Sequence, residues 1–90
     1  MIIEEPLGRI LDIYCDVNSL DLVNNISENL KGYDEVKLKQ QLRDAIENDS
    51  ISTKSYEIVT GEEYESQEDL KAWFVELWEI IFKTKYSDKL

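Results

Sequence analysis

SQEDLKAWFVELWEIIF, Ser66 to Phe82, decides how this chain folds. Its apolar residues fall at Leu70, Trp73, Phe74, Leu77, Trp78 and Ile81, the three- and four-residue spacing that lines one face of an α-helix. Ser66 stands at the N-cap, and Asp69 takes the place of the usual Glu or Gln of a capping box. Val75, Ile80 and Phe82 widen the apolar arc, which predicts a central helix with neighbours on more than one side. At this spacing Trp73, Phe74 and Trp78 are expected to fill a core rather than to form a ligand platform. The polar tail KTKYSDKL, residues 83–90, is expected to fray.

Upstream, DSISTKSYEIVTGEEYE (49–65) is rich in Ser, Thr and β-branched residues, lacks helical spacing and carries a Thr60-Gly61 turn signal. It reads as an irregular loop or a short hairpin around Lys54. Three further helices precede it. One spans about 35–48, capped by Asp34, with Leu38, Leu42, Ala45 and Ile46 on one face. Another spans about 20–31, with Ser19 as cap, Leu22, Val23, Ile26 and Leu30 as apolar positions, and Gly32 just past its end. The first spans about 5–16, with Ile3, Leu7, Ile10, Leu11 and Tyr14 in register and Glu4, Glu5 and Pro6 at its start. The expected fold is all-α: a small four-helix domain over residues 1–90, with an irregular loop or short hairpin before the last helix.

Composition narrows the function. Apolar residues make up 42% of the chain and include nine aromatics, enough for a real core. Acids outnumber bases 20 to 10, and a net charge of −10 repels nucleic acid and anionic membranes while attracting basic proteins. The chain has no histidine, which excludes imidazole catalysis and His-ligated zinc. Its single Cys15 cannot form an internal disulfide, and no basic residue nearer than Arg9 would activate the thiol. No calcium-loop pattern occurs, and the carboxylates fall at positions where the helical pattern predicts solvent. The expectation is therefore no enzyme, no metal, no cofactor and no small-molecule substrate. MIIEEPLGR (1–9) does not read as a signal peptide, and no apolar run approaches the roughly 18–20 residues that span a bilayer, so a cytoplasmic protein is expected.

One feature is left over. YEIVTGEEYESQEDL, Tyr56 to Leu70, holds six carboxylates and no Lys or Arg. Glu68 and Asp69 lie in the first helical turn of the stretch that follows, where a helix dipole favours negative charge. Glu57, Glu62, Glu63 and Glu65 remain, and they interleave with Tyr56, Ile58, Val59 and Tyr64. Carboxylates for steering with tyrosines for anchoring suit a face that binds a basic partner. Tyr56, Glu57, Glu62, Glu63, Tyr64 and Glu65 are the candidate partner-binding residues. The alternative is a solvated loop.

A helix ending in Asn48-Asp49-Ser50, then SYEIVTGEEYE (55–65), then the capped EDLKAWFVELWEIIF (68–82), in a short acidic chain, resembles the small immunity proteins of contact-dependent growth inhibition systems. The likeness runs over about Leu38 to Phe82. It implies a bacterial protein that binds and neutralises a cognate toxin domain, often a nuclease, by stoichiometric protein–protein inhibition. The acidic immunity proteins of nuclease colicins are similar in size and charge, although YEIVTGEEYE (56–65) does not reproduce their Tyr-Tyr-Pro segment. The other function class open to such a chain is an acidic adaptor, regulatory or DNA-mimic protein that binds a partner other than a toxin.

Overall fold

The computed structural model describes residues 3–16, 18, 20–29 and 32–86. Among them lie four α-helices, α1 (Leu7–Tyr14), α2 (Glu35–Glu47), α3 (Thr53–Thr60) and α4 (Gln67–Phe82), together with a 3-10 helix over Leu20–Asn29. No strand occurs among the described residues, so the fold is all-α.

The last helix forms where its periodicity places it. Ser66 is the N-cap, and its hydroxyl accepts from the Asp69 amide at 3.1 Å. Leu70, Phe74, Leu77, Trp78 and Ile81 are buried, while Trp73, Val75, Ile80 and Phe82 are half-buried against the same core. The wide arc meets two neighbours, since α4 packs on both α2 and the 3-10 helix. α1 lies against the 3-10 helix, α2 and α3. Asp34 caps α2 by accepting from the Lys37 amide at 3.0 Å, and Leu38, Leu42, Ala45 and Ile46 are buried as the spacing predicts.

α1 has no cap of its own, because Pro6 at its N-cap offers no side-chain acceptor. Gln41 of α2 fills that role across the fold: its Oε1 accepts from Leu7 N at 3.0 Å and its Nε2 donates to Glu5 O at 3.1 Å. One side-chain amide thus satisfies an orphan helix-terminal N–H and locks two elements together.

Three expectations are corrected. Residues 53–60 form α3, not an irregular loop or short hairpin. Ser52 caps it, accepting from Ser55 N at 3.1 Å, and Gly61 ends it at φ 80°, its amide donating to Glu57 O at 2.7 Å. The β-branched residues Thr53, Ile58, Val59 and Thr60 each cost only a few tenths of a kcal/mol in a helix, less than the burial of Tyr56 returns. Thr60 is buried as well, and its hydroxyl is fully engaged, donating to Tyr56 O at 2.8 Å and accepting from Glu62 N at 3.1 Å.

The segment expected as an α-helix over 20–31 is a 3-10 helix as far as Asn29; its expected cap Ser19 and its apolar Leu30 lie outside the described residues. A three-residue repeat aligns Val23 with Ile26, both buried. Leu22 is left at the boundary, 36% exposed.

The tail does not simply fray. Tyr86 packs its ring edge-on to Trp78 at 5.2 Å, and its hydroxyl donates to Glu47 Oε2. Residues 87–90 lie outside the described residues. No helix among the described residues is long and apolar enough to cross a membrane.

Candidate functional site

The six residues singled out from the sequence part company in the fold. Tyr56 is 1% exposed and belongs to the core, so it is not a surface anchor. Its ring meets Phe74 and Tyr64 edge-on, each at 5.6 Å between centroids, and its hydroxyl accepts from Trp73 Nε1 at 2.6 Å. The same hydroxyl interacts with the Cys15 thiol. Burial pushes Tyr56 well above the ordinary range of a phenol, and it pushes Cys15 up to about 12 despite the opposing effect of the Tyr56 hydroxyl. Cys15 is therefore a buried, inert thiol, as its sequence context implies.

Tyr64 is half-buried on the link between α3 and α4. Burial first, and then the carboxylates of Glu62 and Glu76 together with Cys15, push its phenol up to about 12. Along this link exposure alternates: Glu62 and Tyr64 are half-buried, and Glu63 and Glu65 are exposed. Glu57 is exposed on α3. The two link carboxylates that face solvent, Glu63 and Glu65, therefore belong to the same chain segment as the end of α3.

That end is electrostatically unusual. A helix C-terminus carries partial negative charge and is stabilised by Lys, Arg or His nearby. α3 has no basic residue in its last turn, which Glu57 opens, and Glu62 and Glu63 follow directly after its C-cap Gly61. Glu68 and Asp69, by contrast, occupy the first turn of α4, where negative charge is favourable. The ion pairs of the described residues, Glu5–Arg9 at 2.7 Å, Glu35–Lys39 at 3.9 Å and Glu47–Arg43 at 4.0 Å, leave all six carboxylates of the 56–70 stretch out. With Asp16 and Glu62 as the half-buried exceptions, the described carboxylates are exposed.

The candidate partner-binding set leaves out one residue of this region. Ile58 projects from α3 at 66% exposure, between Glu57 and the link. The signal was present in Ser52 and Gly61, which bracket an eight-residue helix; a helical reading turns Tyr56 inward and Ile58 outward.

A concave feature of about 250 Å³ between the N-terminal segment, α2 and the start of α3 is lined by Ile3, Glu4, Leu7, Gln41, Asp44 and Ile51, with Ser50 and Ser55. Its Gln41 amide is already committed to α1, and the Ser55 hydroxyl accepts from the Ser52 hydroxyl at 3.1 Å. No group of three or more Cys, Asp or Glu side chains placed to hold a metal ion occurs among the described residues. Comparison with known proteins finds no matching family model, no curated relative and no similar solved structure.

Proposed function

We propose that this chain is a stoichiometric inhibitor of the immunity type, which binds a basic toxin domain and blocks it without chemistry of its own. The observation that carries this reading is the set of unpaired carboxylates at the wrong end of a helix. Glu57, Glu62 and Glu63 enter none of the ion pairs Glu5–Arg9, Glu35–Lys39 and Glu47–Arg43 and stand at the negative end of α3, where the helix dipole disfavours them. A basic partner would gain from them directly: its cations would meet both the carboxylates and the negative helix end. Complementary charge of this kind raises association rates from about 10⁵–10⁶ to about 10⁸–10⁹ M⁻¹s⁻¹ at low salt, which suits capture of a toxin before it acts. The resemblance of residues 38–82 to immunity proteins of contact-dependent growth inhibition systems points to the same class of partner.

The test is co-expression with the product of the adjacent upstream gene. Rescue of growth, together with an equimolar complex whose association slows with added salt, is the expected result. Binding to a host protein with no rescue would favour the acidic adaptor or DNA-mimic reading. Turnover of a substrate by the purified chain, abolished by one carboxylate substitution, would overturn the inhibitor reading.

A further inference from the structure

The depression between the N-terminal segment, α2 and the start of α3 brings apolar and acidic side chains together in space. Ile3, Leu7 and Ile51, none more than 6% exposed, supply its apolar wall, and the exposed carboxylates of Glu4 and Asp44 line it with them. Neither carboxylate enters the ion pairs of the described residues, and no Lys or Arg among those residues lines the depression. Asp44 Oδ1 accepts from Asn48 Nδ2 at 3.1 Å, and a carboxylate has acceptor capacity beyond one such bond. The neighbouring cations of the chain are placed elsewhere. Arg9 is bonded to Glu5 at 2.7 Å, and Lys37 lines the adjoining depression without an ion pair to Glu4. Lys54, next to Ser55 in sequence, is exposed and does not line the depression either.

Resting on the reading above that the partner is a basic protein, we propose that this depression receives an arginine side chain of that partner. The aliphatic stem lies against Ile3, Leu7 and Ile51, and the guanidinium meets Glu4 and Asp44. A volume of about 250 Å³ falls below the roughly 300–1,000 Å³ of pockets that take whole drug-sized molecules, so the fit is to one side chain. An anionic group would meet two like charges, and a purely apolar one would strip water from the carboxylates without return. Arginine suits the place better than lysine. Its guanidinium is more weakly hydrated and presents a fork of N–H donors to the two carboxylates and the Ser50 hydroxyl. A second copy of the chain is the other source of arginine, and its two are engaged: Arg9 with Glu5, and Arg43 with Glu47 and the Trp78 ring. The occupant therefore comes from a different protein.

The probe is a capped Gly-Arg-Gly peptide titrated into the methyl-labelled chain and followed by nuclear magnetic resonance. Saturable shifts concentrated at the Ile3, Leu7 and Ile51 methyls are expected, weaker with a lysine peptide and absent with the neutral citrulline peptide of the same shape. Glu4→Gln combined with Asp44→Asn should weaken arginine-peptide binding about 3- to 10-fold, with unchanged melting because both side chains are exposed. Glu79→Gln, at an exposed carboxylate outside the depression, should leave binding unchanged. The same double variant should dissociate faster than wild type from the product of the adjacent upstream gene. Shifts that are absent, or spread over the surface, overturn the arginine site and leave the inhibitor reading intact. Peptide binding at these methyls with a complex indifferent to the double variant overturns the place of the depression in the interface. No complex between wild type and that gene product overturns the inhibitor reading and the proposed occupant with it.

Discussion

Replacing Glu57, Glu62, Glu63 and Glu65 together by Gln should stabilise the free protein while slowing its association with a basic partner. Gln keeps the shape of each side chain and removes four charges. Glu57 opens the last turn of α3, and Glu62 and Glu63 follow its C-cap, so three of the four lie within reach of the negative helix end. An acid in such a place costs about 0.3–1 kcal/mol at low ionic strength. Glu65 is farther along and contributes through repulsion of its neighbours. The summed gain is about 1–2 kcal/mol, and each kcal/mol raises the melting temperature of a domain this size by about 4–8 °C.

Two measurements separate this from a bland solvated segment. Calorimetric melting of wild type and the quadruple variant should show a gap at about 20 mM salt that closes toward about 500 mM, since screening lengths fall from over 20 Å to a few ångströms. Stopped-flow association with a basic protein partner should be slower in the variant and lose its salt dependence, while dissociation changes little if the carboxylates sit at the rim. A variant that melts lower than wild type would refute the reasoning, because it would mean that the carboxylates support the fold. A gain that ignores salt would refute it as well.

Other outcomes follow from the core. Tyr56→Phe should cost about 1–2 kcal/mol in urea denaturation, because the Trp73 Nε1 donor and the Cys15 thiol lose their common partner. Tyr56→Ala should cost about 3–5 kcal/mol, and any loss of partner binding should track loss of folded protein. Gln41→Ala should cost about 1 kcal/mol and increase amide exchange at Leu7, whose N–H loses its acceptor. Alkali should destabilise the protein: burial raises Cys15 from 9.0 to about 12 and Tyr64 from 10.0 to about 12, and it raises Tyr56 too. The folded state then holds protons that the unfolded chain releases, so stability is full below about pH 9 and falls above it, Cys15 alone removing about 1.4 kcal/mol per pH unit up to about 12. A melting temperature flat from about pH 8 to about pH 11 would contradict that burial.

α4 and α2 were legible because their information is local and repeated. Each has a capping side chain three residues before the amide it accepts from, and each spreads its buried positions over more than two turns. The Gln41 cap of α1 was not legible, since it joins residues 34 apart and nothing at Gln41 itself marks it. The tail's return onto Trp78 likewise depends on Glu47, 39 residues away from Tyr86.

The candidate site turned on a single ambiguity of period. The charge imbalance of residues 56–70 can be counted from the sequence, but which side chains share a face depends on the geometry of 53–60. In an extended strand, residues two apart project to the same side, so Tyr56 and Ile58 would stand together. In a helix, two residues turn the chain by about 200°, so they project to opposite sides. Eight residues give too few turns for periodicity to decide, and the β-branched content favours the extended reading. What decides it is tertiary: Cys15, Phe74 and Trp73, brought from α1 and α4, surround the Tyr56 ring and hydroxyl. Once Tyr56 is drawn inward, Ile58 is turned out beside Glu57, and the exposed apolar contact of the acidic segment moves from an aromatic to an aliphatic side chain. The helix that removes Tyr56 from the surface is the same helix whose last turn begins at Glu57 and whose C-cap is followed directly by Glu62 and Glu63.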